Sequence, residues 1–322
     1  MNITHKNSLK SDIILHHYPQ SPVAEKVRVV LGIKNLEWRS VNIPRLPPKP
    51  NLVELTGGYR LTPVMQIGAD MYCDSPCIIR AIDQLYPTAR FIGDAYKGLV
   101  WGMGRWSDSI LFKSSIAVVL GDAGLDLPDD FANDRIPLYF GNTTTIHDLI
   151  RDLTHNRMQL ASQLHWVENQ LTYGNPYLNG AYPGLMDDLC YYPVWFLRGR
   201  LSDAETYLNE FPKIVDWENR IQKIGHGEYT DMQSLSALDV ARKASPIKTK
   251  SDLMSLKKLG LNTGDPVSLY SESPEAHVAT GTLGHIDENT ISIHRQSERC
   301  GLVAVHFPLF SYRLIKHKKS KI

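Results

Sequence analysis

DIILHHYPQSPVAEKVRVVLGI, residues 12–33, changes its periodicity once. Residues 12–16 are a short apolar run rich in Ile, a strand signal. Pro19 and Pro22 mark a turn. Val23, Val27, Val30 and Leu31 then repeat with the spacing of one helix face, and Gly32 sits near the helix end. Outward from this unit, Leu36 to Val41 alternates as a second strand. Pro44 to Pro50 holds four prolines and reads as loop. Val64–Ile67 and Ala69–Cys73 form a hairpin pattern around Gly68, and Ser75–Leu85 returns to helical spacing. The order is strand, helix, strand, loop, two strands, helix. That is the order of a thioredoxin-like domain, placed over residues 12–88.

Residues 86–97 read as a linker. From 98 to 243 the pattern is all-helical, with long segments at Val100–Leu120 and Ile146–Tyr173. Leu185–Arg200 is strongly apolar and reads as a buried central helix; Phe211–Ile224 and Leu235–Ala244 close the bundle. After Ala244 the composition shifts. Turn signals at Asn262-Thr-Gly-Asp265, Gly281-Thr-Leu-Gly284 and Asp287-Glu-Asn289 separate β-branched runs at Val267–Tyr270, His277–Thr282, Thr290–His294 and Leu302–Phe307. Residues 245–322 therefore read as a small β-barrel or sheet of about five strands. The fold class is multidomain, α/β followed by all-α, with this β-domain appended.

Hydrophobic residues make up 43% and charged residues 21% of the 322-residue chain, a globular composition. A net charge of +1 supplies no field for nucleic acid or for an anionic membrane. No apolar run approaches the roughly 20 residues of a membrane span. Met1–Lys10 is polar, lacks the apolar stretch of a signal peptide and reads as a tail. Lys316–Lys321 reads as a solvated basic end. The four cysteines, Cys73, Cys77, Cys190 and Cys300, do not form a disulfide framework, and a reducing cytoplasm is the expected compartment. Cys73 and Cys77 are four apart, but without a second pair they read as structural thiols rather than a zinc site. His277, His285, His294 and His306 are scattered over strands and read as surface or core residues. No metal is expected.

Three segments carry chemistry. Ser21 opens a helix whose first N–H groups lack partners and whose end is partly positive. A thiolate placed there is stabilised, because a free thiol with a pKa near 8.5 is mostly protonated at neutral pH. The plainer role of Ser21 is to cap that helix. Leu61-Thr62-Pro63-Val64 reads equally as a fold-level turn. Asp74 and Ser75 start the third helix, either as caps or as groups for an amino acid's charged end. Trp101, Trp106, Phe112 and Tyr139 are core residues or the wall of an apolar pocket.

Together, Ser21-Pro22 with Glu25-Lys26-Val27-Arg28, Leu61-Thr62-Pro63-Val64 and Asp74-Ser75-Pro76 resemble the glutathione-binding half of the glutathione S-transferase family. The likeness covers roughly residues 12–243. The first βα turn resembles that of the serine- and cysteine-using cytosolic classes, so a serine-type class with an added C-terminal β-domain is implied. On that resemblance Ser21 is the catalytic hydroxyl. Tyr18, beside the end of the first strand, is the runner-up. The absence of Cys at position 21 argues against the reductase and lyase chemistry of the cysteine-type classes. The resemblance implies that Pro63 is cis and that Val64 docks the peptide backbone as an added strand would. It implies that Asp74 and Ser75 hold the γ-glutamyl end and that Lys49 contacts the glycine carboxylate. Asp74 is one methylene shorter than the Glu common there. Gly180-Ala-Tyr-Pro-Gly184-Leu-Met-Asp187 resembles the family's buried helix start, with Gly184 where a Ser or Thr cap is usual.

The implied activity is that of a transferase. It activates glutathione, its co-substrate, for attack on a small hydrophobic electrophile. A homodimer is implied, with no nucleic-acid or membrane partner. A non-catalytic binding or scaffold protein on the same fold is the alternative, motivated by the β-domain and the Pro-rich stretch at 44–50. A third possibility gives residues 245–322 a macromolecular or oligomer contact.

Overall fold

The computed structural model describes residues 13–93, 98–247, 259–272 and 275–317. The tail at 1–10 lies outside them, as do residues 94–97 of the linker and most of the basic end. The first strand, β1 (Ile13–His17), is buried along its whole length. Helix α1 (Pro22–Ile33) follows, and β2 (Glu37–Asn42) runs parallel to β1. Helix α2 (Pro50–Thr56) was not expected in the Pro-rich loop. Pro50 is its first residue, where a missing N–H costs nothing and the fixed φ favours helix. Strands β3 (Val64–Ile67) and β4 (Asp70–Cys73) form the hairpin, with Gly68 at φ +59° in the first central position of its two-residue turn. β3 runs antiparallel to β1. Helix α3 (Ser75–Leu85) buries Cys77, Ile78, Ile79, Ala81 and Ile82. Apart from α2, this is the thioredoxin-like order read from the sequence.

The helices that follow are α4 (Ala89–Ile92), α5 (Leu99–Trp106), α6 (Phe112–Ala123) and α7 (Asp129–Phe140). Next come α8 (Ile146–Arg151), α9 (Leu153–Leu171), α10 (Leu185–Arg200), α11 (Ala204–Leu208) and α12 (Pro212–Ile224). The expected segment at 100–120 is interrupted by a π-helical turn at Ser107–Leu111. The expected linker contains α4. Helix α10 is the buried helix of this unit. Its Asp187 accepts from the main-chain N–H groups of Leu178 (2.7 Å), Asn179 (3.2 Å) and Gly184 (3.0 Å), and from the Trp217 indole (2.7 Å). Burial still pushes the Asp187 carboxyl above its ordinary value. No helix among the described residues is long and apolar enough to cross a membrane.

The last third of the chain carries the expected C-terminal strands and joins them to the first sheet. Strand β5 (Glu228–Asp231) pairs in parallel with β2, and helix α13 (Ser234–Lys243) buries Ala237, Leu238 and Ala241. Strands β6 (Pro266–Glu272), β7 (Glu275–Ile286), β8 (Thr290–Ser297) and β9 (Gly301–Pro308) form an antiparallel meander, and β10 (Tyr312–Lys316) returns to pair with β6. β9 then pairs in parallel with β4, with Asp70 opposite Ala304 and Tyr72 opposite His306. Among the described residues one ten-stranded sheet results, in the order β10-β6-β7-β8-β9-β4-β3-β1-β2-β5.

The sequence reading places domains over 12–88, 98–243 and 245–322, and contacts group the chain into two compact units. One unit takes residues through Val27, Leu36–Leu85 and Glu228 onward. The other takes Arg28–Asn35 and Tyr86–Gly227. The C-terminal strands continue the thioredoxin sheet and share its apolar core: Ile14, Val64 and Met71 lie in one cluster with Leu269, Ile293 and Val305. β5 escaped notice because all four of its residues are exposed, leaving no apolar alternation to read. β10 escaped for a related reason, since none of its side chains is fully buried.

Candidate functional site

Register places the three segments in a row. His16 lies opposite Val64, and Val64 lies opposite Cys73. The carboxyl end of β1, the amino end of β3 and the carboxyl end of β4 therefore share one border of the sheet. Ser21 follows the first, Thr62-Pro63 precedes the second, and Asp74-Ser75 follows the third. The Thr62–Pro63 bond is cis, as the resemblance implied.

Ser21 is 2% exposed, and its Oγ accepts the Ala24 N–H at 3.1 Å. It caps α1. The hydroxyl keeps its own proton to donate, because capping uses only an acceptor lone pair. Tyr18 is buried, and the Lys49 ammonium lies 5.7 Å from its ring centroid. The Lys49 Nζ donates to Thr62 Oγ1 at 3.0 Å, so the residue before α2 meets the residue before the cis proline.

The main chain of Val64 faces the neighbouring strand β1. The two-residue turn makes Ile67 and Asp70 the closing pair that exchanges main-chain bonds. Alternate residues of β3 point their N–H and C=O to alternate sides, so Met65 and Ile67 bond to β4, while Val64 and Gln66 bond to β1. The main chain of Val64 is committed to His16. Thr62 lies outside the strands, half-buried, one residue before the cis bond.

Asp74 has φ +71°, left-handed backbone that L-residues other than Asn and Asp seldom adopt. Its Oδ1 accepts the Ser75 N–H at 2.8 Å, and its Oδ2 accepts the Tyr312 hydroxyl at 3.1 Å. Ser75 is buried, with the Lys26 Nζ 3.4 Å from its Oγ. Lys26 is 1% exposed, a buried cation beside the first residue of α3. The sequence reading did not single out Lys26 or Thr62, although both belong to the quoted segments. Nothing near Tyr312 in sequence signalled its contact with Asp74.

Most of the remaining candidates find structural partners. Cys73 and Cys77 are buried, and burial, with the Asp74 charge beside them, pushes both thiols up. His277, His285 and His306 bond Thr280 (2.8 Å), Asp287 (2.9 Å) and Asp70 (2.8 Å). Among the described residues no group of three or more His, Cys, Asp or Glu side chains is placed to hold a metal ion. In the helical unit, a cavity of about 500 Å³ is lined by Met103, Trp106, Trp166, Gln170, Met186 and Cys190, among others. Of the four aromatic residues considered for an apolar pocket, Trp106 lines it. Phe112 packs edge-on against Tyr139 at 6.0 Å.

The C-terminal sheet also grips α2. Arg295 and the Cys300 thiol reach the Glu54 carbonyl, Ser297 reaches the Glu54 carboxylate, and Arg299 donates to Asn51 Oδ1 at 2.9 Å. A side chain at Gly57 (φ +78°) would run into Arg295.

Residues 15–90 match the family description "Glutathione S-transferase, N-terminal domain". No curated protein matches the chain. The crystal structure of a GST-like protein from Pseudomonas syringae is 31% identical at a TM-score of 0.78. It covers 95% of this chain and 99% of its own, so the likeness runs through the C-terminal strands. A glutathione S-transferase from Rhodospirillum rubrum F11 is 16% identical at a TM-score of 0.50, covering 65% of this chain and 87% of its own, and shows the fold alone. With its thioredoxin-like half, helical unit and C-terminal sheet matched along almost its whole length, the chain belongs to the glutathione S-transferase family.

Proposed function

We propose that the protein is a glutathione transferase-like enzyme that ionises the glutathione thiol for attack on a small hydrophobic electrophile. The observation that carries the reading is the row His16–Val64–Cys73, which brings the Ser21, Thr62-Pro63 and Asp74-Ser75 segments to one border of the sheet. The thiol's proton leaves to solvent, and the Ser21 hydroxyl donates a hydrogen bond to the resulting thiolate at the start of α1, where the helix end favours negative charge. The main chain of Thr62, which no strand uses, pairs with the extended peptide in the role first expected of Val64. Ser75, with the Lys26 ammonium beside it at the start of α3, receives the γ-glutamyl carboxylate. Asp74 receives the α-amino group. Lys49 beside Thr62 meets the glycine carboxylate.

Calorimetry with millimolar glutathione tests binding, and absence of heat discards the reading. Turnover of an electrophile panel tests catalysis. Loss of one donor to the developing charge lowers kcat/KM by about a hundredfold in Ser21→Ala.

The 2% exposure of Ser21 and its bond to Ala24 favour a second reading, a non-catalytic glutathione-binding protein in which Ser21 only caps α1. Glutathione binding with no turnover of the electrophile panel selects that reading, and turnover that Ser21→Ala leaves unchanged assigns Ser21 to the cap alone. A dimeric and cytoplasmic protein accords with the family resemblance; sedimentation of the purified chain checks the first and cell fractionation the second.

A further inference from the structure

We infer that Tyr312, on the last strand of the C-terminal sheet, is a positioning residue for recognition of the ligand's α-amino group, acting through Asp74. The inference rests on the glutathione reading above. The carboxylate of Asp74 is held at both oxygens, by the Ser75 N–H at 2.8 Å and by the Tyr312 hydroxyl at 3.1 Å. The backbone beneath it lies at φ +71°, so its direction is set by these contacts and not by a regular element.

Tyr312 is itself fixed. Its ring packs on Phe307 at 5.2 Å, Phe307 packs on Tyr59 at 5.7 Å, and the Tyr59 side chain lies beside that of Tyr312. Burial, with the Asp74 charge beside it, pushes the phenol well above its ordinary value, so it stays a donor at neutral pH. Each carboxylate oxygen accepts more than one hydrogen bond. Asp74 therefore keeps lone pairs for an ammonium group while the tyrosine holds it still. An aspartate reaches less far than a glutamate, and an unanchored one would spend binding energy on being ordered. The C-terminal sheet thus supplies the anchor that the shorter side chain needs.

The test compares two ligands by calorimetry: glutathione, and glutaryl-cysteinyl-glycine, which lacks only the α-amino group. Tyr312→Phe keeps the ring and loses the hydroxyl. The expected result is a loss of about tenfold in affinity for glutathione, one hydrogen bond to a charged group, with affinity for the deaminated ligand unchanged. Asp74→Asn shows the same selectivity, and Tyr312→Phe adds no further loss in its background. Wild-type protein that binds neither ligand overturns the glutathione reading and the inference with it. Wild-type protein that binds glutathione, with a Tyr312→Phe variant that weakens both ligands equally or neither, overturns the inference alone. A second measurement needs no variant. Linkage is reciprocal, so glutathione slows amide exchange at Tyr312–Lys316 while the deaminated peptide does not. Equal protection by the two ligands overturns the inference.

Discussion

The two edges of the thioredoxin sheet are closed by strands of opposite character. At β4, the partner is β9, an apolar strand whose Val303, Val305 and Phe307 enter the common core. A buried pair locks this seam: His306 Nε2 lies 2.8 Å from Asp70 Oδ1, His306 stacks on Tyr72 at 4.6 Å, and Asp70 Oδ2 accepts the Ile247 N–H at 2.9 Å. At β2, the partner is β5, short and exposed throughout, held by main-chain pairing and by Tyr229 stacked on Trp38 at 4.7 Å. One edge is a continuation of the core. The other is a cover over an otherwise open row of N–H and C=O groups.

The largest expected effect breaks the first edge. Asp70→Ala leaves a buried imidazole and an N–H without their acceptor and costs about 3 kcal/mol of unfolding free energy, read as a drop in urea midpoint. Nearly as large is a pH effect between the two edges, at His16 on β1. Burial lowers its pKa to about 4 against an ordinary 6.5, with the Gln66 hydrogen bond opposing. The unfolded chain then binds a proton near pH 6.5 that the folded chain refuses until about pH 4. Stability is full above 6.5, falls by about 3 kcal/mol as pH drops through that window, and levels below it. His16→Gln removes that part of the slope in urea titrations run at successive pH values. The smallest effect is at the second edge, where Tyr229→Ala costs about 1 kcal/mol. If it costs as much as Asp70→Ala, the two edges are alike and the contrast fails.

Much of the site was legible because its segments are local. A strand, a turn and a helix start lie within residues 12–33, and the proline turn and the α3 start lie at the two ends of a short hairpin. The direction of the Val64 main chain was not legible, because sequence marks a strand without saying to which neighbour each residue's N–H and C=O turn. That depends on the hairpin's closing pair. Two elements outside the site were also silent. Helix α2 was hidden behind prolines that serve equally as loop breakers and as a helix's first residue. Strand β5 has no apolar side.

The order of elements through α3 apart from α2, the helical character of the middle and the five-stranded end were determined by the sequence alone, because each rests on spacing within a few turns or residues. Only the tertiary structure decided that β9 joins β4, that the end of the chain grips α2, and that Tyr312 reaches Asp74. Those contacts join residues more than two hundred positions apart. Their register is chosen by the burial of a whole sheet face, which no local pattern of side chains encodes.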